Sequence, residues 1–315
     1  MDSDARLKRL ERWLQELYSN AEKEMRGKWD KYMEKAAERE KSLLSRITEA
    51  KTPEEKEEAR ETHKKYVKSS TKWAGHYRKI VEGLANQYHD ANVRAAEIVN
   101  GERAEFFADG YNLSAETINE AAVKSNVGIS FELCDADTVN WLAERQNDLI
   151  LPGPSEPKAR EDMTWNIRNI NSQVAQGIVQ GESIPKIAAR LRKVSDMNVK
   201  SSIRNARTMA TACENAGRVE SMKRAEEWGV MTRKKWLCTH DGRTRHSHLI
   251  MDGETVADDE WFSNDCRFPG DPLGPAAEVY NCRCTLITVI DGFSSNLPKG
   301  KEDAIKIWVD GERVK

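Results

Sequence analysis

Seven side chains able to bind soft metals or to act as nucleophiles and bases fall between positions 238 and 284: Cys238, His240, His246, His248, Cys266, Cys282 and Cys284. They are half of the six histidines and four of the six cysteines. Asp241, Arg243 and Arg245 stand among them in "LCTHDGRTRHSHLIMDG", and Arg283 separates the last two cysteines in "YNCRC". Zinc takes four nitrogen or sulfur donors in a tetrahedron, and a pair from each of two distant segments would staple the loop between them. His246 or His248 with Cys282 and Cys284 is the candidate zinc set. Its weakness is the single residue between the cysteines, where structural sites usually place two. Without a metal, Cys282 and Cys284 share one face of a strand entrance and His248 hydrogen-bonds inside the loop.

A catalytic version makes Asp241 or His248 a general base, Arg243 or Arg245 an anion clamp, and Cys282 or Cys284 a nucleophile beside Arg283. The non-catalytic version pairs Asp241 with Arg243 or Arg245 in a buried salt bridge that fixes the loop. The sequence contains no GxxxxGK[ST], no GxGxxG after a strand, no HExxH and no GxSxG, so catalysis has little support from motifs.

Positioning these groups falls to the elements around them. "MTRKKWLCT" after Gly229 reads as a strand, "TLITVI" at 285–290 as an apolar β-branched strand, and "IKIWVDGERVK" as a hairpin turning at Asp310 and Gly311. The loop between the first two is long and rich in Gly, Pro and Asp, and such loops usually need an anchor or a function. Ahead of it, "DMNVKSSIRNARTMATACENAGRVESMKRAEEWGV" predicts a helix with Ala206, Ala210, Cys213 and Gly217 on its inner face, which makes Cys213 a core residue. A separate helix opens at Ser183 and Pro185 and carries Ile187, Ala188 and Leu191 inward. Residues 160–180 predict another. "LPGPSEPK" at 151–158 breaks every periodicity and is the expected domain boundary.

The N-terminal half reads as long helices. Leu7, Leu10, Leu14, Leu17 and Ala21 form one stripe from Ala5 to about Ala50, and the register then shifts through Met25 and Trp29 to Tyr32, Met33 and Ala36, as in a hairpin or coiled-coil-like arm. The break is expected at Thr52 and Pro53, with Thr52 as N-cap and Glu54 and Glu55 at the positive end of the next helix. That helix runs to about Ala108, followed by shorter ones over 114–124 and 136–145. The alternating charges of "EEKEEARETHKK" read as a solvated face.

The chain has 315 residues, 38% hydrophobic and 32% charged, which suits two or three units or one domain with a helical extension. The net charge of −2 conceals a basic region, Lys186 to Arg245, followed by an acidic one. Arg190, Arg192, Lys193, Lys200, Arg204 and Arg207 fall close together there and are candidate contacts to DNA phosphates, sequence-independent if made; the same pattern suits an ordinary solvated helix. No apolar run approaches the roughly 20 residues of a bilayer span and none opens the chain, so no membrane is expected and the compartment is a cytoplasm. The scattered cysteines read as reduced thiols or metal ligands rather than a disulfide framework.

The order "KKWLCTHDGRTRHSHLIMDG" then "PGDPLGPAAEVYNCRC" closely resembles the C-terminal domain of the phage Mu protein F-like minor head proteins, a phage head morphogenesis family. The match falls on Trp236, Asp241, Arg243, Arg245, His248, Gly253, Pro269, Gly270, Asp271, Pro272, Asn281, Cys282, Arg283 and Cys284, and "ARTMATACENAGR" at 206–218 is similar to the preceding helix of that family. Cys238, His246 and Cys266 lie off the pattern. The resemblance implies a structural protein of a tailed phage or prophage, inside the head, associated with portal and with capsid or scaffold proteins, and acting in head assembly, DNA packaging or DNA ejection. The expected fold is mainly α with a C-terminal α+β domain: a helical docking arm over 1–150, the motif domain over 158–292 and a tail with a β-hairpin over 293–315. The rival reading is a zinc-dependent nuclease or effector enzyme built on His248, Cys282 and Cys284.

Overall fold

The computed structural model describes residues 3–68, 70–125, 127, 164–173, 176, 184–294, 308–309 and 312–313. The chain is mainly helical and ends in a small antiparallel sheet. It divides into two compact units: Met1–Arg12, Ala96–Gly153 and Ser201–Lys315 form one, and Trp13–Ala95 with Pro154–Lys200 form the other.

Helix α1 spans Ser3–Glu49 and α2 spans Pro53–Lys68. The corner between them is a reciprocal cap: Glu55 N donates to Thr52 Oγ1 at 3.1 Å, and Thr52 N donates to Glu55 Oε2 at 3.2 Å. Helix α3 follows over Ser70–Gly101. In the Trp13–Ala95 and Pro154–Lys200 unit, Leu14, Tyr18, Ala85, Tyr88, Ile170 and Val194 are buried. A run of polar side chains threads this core: Tyr18 Oη donates to Asn92 Oδ1 at 2.5 Å, Asn92 Nδ2 to Asn198 Oδ1 at 3.3 Å, and Asn198 Nδ2 to Asn166 Oδ1 at 3.1 Å. Asn166 lies on α5, helical over 164–173, and Asn198 on α6, which spans Ile184–Glu226. Burial pushes the Tyr88 hydroxyl up to about 12.

The motif-bearing unit is built on α4, Arg103–Lys124, and the second half of α6. Phe106, Phe107, Gly110, Tyr111, Ser114, Ala115, Ile118 and Ala122 form the buried stripe of α4. The two helices approach at mutual glycines. A Cβ on Gly217 would stand 2.1 Å from Phe107 O, and one on Gly110 would stand 1.9 Å from Glu214 O. Strand β1 spans Val230–Leu237, β2 spans Thr255–Ala257 and β3 spans Thr285–Phe293, in the order β2-β1-β3 with every pairing antiparallel. Alternate residues of β1 are buried, and Ile118, Ala122, Ala225 and Val230 pack together with Ile290 and Phe293. Ser114 and Thr288 bond through their hydroxyls at 2.8 Å, joining α4 to β3. The start of α1 belongs here as well: Arg6 is buried and meets Glu105 at 3.1 Å and Asp109 at 3.4 Å.

Some expectations need correction. The second helical stretch breaks at Glu102, not near Ala108, because the apolar stripe of α4 continues unbroken from Phe106 to Ala122. The two helices expected after Ser183 are one, since neither proline nor glycine interrupts between Lys186 and Ala216. Ala206, Ala210, Cys213 and Gly217 are buried in it as expected. Strand β2 was not anticipated: three residues carry too little periodicity. The C-terminal ladder of β4, Trp308–Val309, with β5, Glu312–Arg313, agrees with the expected hairpin, whose turn residues Asp310 and Gly311 lie outside the described residues, as do the helix expected at 136–145 and the boundary at 151–158.

Candidate functional site

The long loop begins where β1 ends. Trp236 is fully buried there and meets the rings of His248 and Phe262 edge-on, with centroids 5.3 and 5.1 Å away. Its backbone pairs twice with the returning turn, Trp236 N to Glu254 O and Gly253 N to Trp236 O, each at 2.8 Å. Gly253 holds φ +85°, a conformation that an L side chain adopts only with strain. The short helix α7, His246–Ile250, turns His248 into the interior and leaves His246 exposed.

Asp241 forms a two-pronged pair with Arg283, Nη1 to Oδ2 at 2.5 Å and Nη2 to Oδ1 at 2.6 Å. That pair corrects the expectation of Arg243 or Arg245 as partner. Arg243 reaches the carboxylate only at 3.7 Å, although its backbone N donates to Oδ1 at 2.9 Å, and Arg245 donates instead to Tyr280 O. The pair is also not buried, since each side chain is about one third exposed, 33% and 32%. The Arg283 hydrogen bonds come first among the causes that hold the Asp241 carboxyl well below the usual carboxylate range. A second link, Thr239 Oγ1 to Arg283 O at 2.6 Å, fastens the loop start to the "CRC" segment.

Three polar side chains of α6 fix that segment. Asn281 N donates to Thr208 Oγ1 at 3.1 Å, Thr211 Oγ1 donates to Cys282 O at 2.9 Å, and Leu286 N donates to Asn215 Oδ1 at 2.8 Å. Asn215 Nδ2 also reaches Pro269 O at 3.0 Å and Cys284 O at 3.4 Å, so one buried amide gathers the proline-rich loop and the strand entrance. Asn281 itself takes φ +56°. In the proline-rich loop, Asp271 is fully buried and receives Arg267 N and Nε at 2.8 Å, Arg267 Nη2 at 2.6 Å and Leu273 N at 3.0 Å. Burial pushes this carboxyl up, but these hydrogen bonds and the Arg267 charge outweigh it and hold it below its ordinary value.

His248, Cys282 and Cys284 come together, with Nδ1 3.1 Å from Cys284 Sγ and 3.8 Å from Cys282 Sγ. All three are buried. Nε2 lies 2.8 Å from Glu278 Oε2, out of hydrogen-bond alignment, and the same oxygen accepts from Ser247 Oγ at 3.0 Å. Glu278 sits on α8, Ala276–Val279. The Cys284 thiol is pulled down, to about 5, by hydrogen bonds from Cys282 and His248, while Cys282 is pushed up. A second group, Cys238, His240 and Asp252, lies nearby in sequence and is half open: Asp252 accepts Cys238 N at 2.8 Å and meets His240 Nε2 at 3.0 Å. Burial and Asp252 push the Cys238 thiol up to about 11. Cys266 joins neither group; burial pushes it up to about 12.

The basic residues are divided between the two units. Arg192 pairs with Glu22 at 3.0 Å and Arg190 Nη1 donates to Gln176 at 3.2 Å in one. In the other, Arg207 pairs with Glu11 at 2.6 Å and Arg204 stacks over Tyr280 at 5.2 Å. Lys193 and Lys200 are exposed. The residues that sequence reasoning missed are Thr208, Thr211, Asn215 and Glu278. Spacings of three and four put the first three on one helical face, inside a stripe of small residues, and that was the available signal.

Residues 168–287 match the family model described as Phage Mu protein F like protein. That stretch is similar to the Mu F-like family. The chain is 34% identical over 147 residues to NAD(+)--arginine ADP-ribosyltransferase EFV of Enterococcus faecalis, covering 46% of this chain and 30% of that protein. It is 32% identical over 189 residues to Minor head protein GP7 of Bacillus phage SPP1, covering 59% of each, and 26% identical over 186 residues to the uncharacterized protein YqbB of Bacillus subtilis, covering 56% of each. The matches thus span less than two thirds of the length of each relative. No solved structure matches the chain. No helix among the described residues is long and apolar enough to cross a membrane.

Proposed function

We propose that this chain is a minor head protein of a tailed bacteriophage or prophage, held inside the head near the portal and acting in head assembly, DNA packaging or DNA ejection. The observation that carries this reading is the similarity to the Mu F-like family together with that to the minor head protein of phage SPP1. The site geometry supports a structural role for the motif. Asp241, Arg283, Asn215 and Asp271 are engaged in tying loop to helix and strand, and the donors of His248, Cys282 and Cys284 are buried away from any polymer substrate. Its partners are portal, capsid or scaffold proteins, docked through the helical region, and the exposed Lys193 and Lys200 are the basic residues best placed to touch packaged DNA without sequence preference.

The test is made on virions of the phage that encodes the chain. The protein is expected in purified full heads, protected from protease until DNA leaves, and crosslinked to the portal. Its absence from purified particles, or a normal yield of infectious particles after deletion of its gene, would overturn the proposal. The same preparation assayed for plasmid nicking and for ADP-ribose transfer to arginine decides against an enzyme if wild type and His248→Ala are alike at background; cleavage or transfer lost in His248→Ala would replace the structural reading.

A further inference from the structure

We propose that His248 Nδ1, Cys282 Sγ and Cys284 Sγ together bind one zinc ion or a comparably thiophilic divalent cation. The donor atoms lie within 4.8 Å of one another, and the residues are only 1%, 1% and 4% exposed. One imidazole nitrogen faces two sulfurs here, so three soft donors converge on one point, as a thiophilic ion requires.

The surroundings hold the donors before any ion arrives. Thr211 and Asn215 fix the carbonyls of Cys282 and Cys284 from α6, and the positive φ of Asn281 turns the chain into the site. On the far side of the imidazole, Nε2 faces Glu278, the arrangement of a carboxylate behind a ligating histidine. The edge contact with Trp236 walls off a further side of the ring. Entry of the ion displaces to solvent whatever protons the two sulfurs and Nδ1 still hold, so that the divalent charge is matched by two thiolates and a neutral imidazole. No fourth donor joins the cluster among the described residues, and a water completes the tetrahedron. The Cys238, His240 and Asp252 group carries no such case, because His240 is 65% exposed and Asp252 is already occupied by Cys238 N and His240.

The proposal stands independently of the role in the phage head. The full chain, purified without a histidine tag under mild reductant, is expected to hold about one zinc per molecule by elemental analysis. Replacement by cobalt(II) should give the near-ultraviolet charge-transfer band of cobalt–thiolate bonds and the visible bands of a tetrahedral site. The band should vanish in the Cys282→Ser, Cys284→Ser double variant, weaken in His248→Ala and persist in Cys266→Ser. Folded wild-type protein with free thiols that gives no band, a band that survives in the double variant, or a Cys282–Cys284 disulfide in reduced preparations would overturn the assignment. Should those variants fail to fold, Cys238→Ser decides: the band should persist in it, and loss of the band there would move the ion to the Cys238, His240 and Asp252 group and overturn the assignment.

Discussion

Asn215 shows how one side chain can govern a motif it does not belong to. Its amide serves Leu286 N, Pro269 O and Cys284 O from a fully buried position, and an alanine there would leave those backbone groups dry and unpaired. At about 1–3 kcal/mol per buried unsatisfied group, Asn215→Ala is expected to lower unfolding free energy by about 3 kcal/mol, read by urea denaturation. Asp271 makes a prediction in pH. Its folded-state value is depressed, so its contribution is fully present above the ordinary value of 3.8 and is lost as pH falls below it through the folded value. The stability gap between wild type and Asp271→Asn should therefore be wide at about pH 7 and close at about pH 2, measured by thermal unfolding. At this scale the sequence revealed the players better than the pairs. Spacing favours Arg243 and Arg245 as partners of Asp241, yet Arg283, 42 positions away, takes the carboxylate because the "CRC" segment returns beside the loop start. Nothing local encodes that return.

Among the elements, legibility followed local chemistry. The α1–α2 corner could be placed because Thr52, Pro53 and Glu55 act within one turn of each other. The start of α4 could not, because what decides it is a stripe packing against distant parts of the chain. The inner face of α6 was legible from its small residues, and their reason is now specific: backbone meets backbone at Gly110 and Gly217. Gly217→Ala would drive a methyl into Phe107 O and is expected to cost about 1–3 kcal/mol or more, despite the better helix propensity of alanine. Gly27, with nothing within 4 Å, is the opposite case. Gly27→Ala should stabilise α1 by about 0.5–1 kcal/mol. The pair of variants, compared in one denaturation series, separates close approach from propensity.

For the whole molecule, the basic region behaves differently from its sequence pattern. Arg192 and Arg207 meet glutamates of α1, so much of the local positive charge is internally matched. If Lys193 and Lys200 are the DNA contacts, Lys193→Ala with Lys200→Ala should lower affinity for any duplex alike and flatten the dependence on salt by about two phosphate contacts, measured by fluorescence anisotropy. Unchanged binding in that variant would reassign the contact.

The first turns of α1 carry a further consequence. Ser3 bonds Glu214 across 211 positions, and Arg6 is buried against α4 beside it. During synthesis these residues leave the ribosome 211 positions ahead of their partner on α6. Closure of the motif-bearing unit therefore waits on the late chain, and a loop of such length makes it slow. Refolding should show the helices forming early and Trp236 fluorescence settling last.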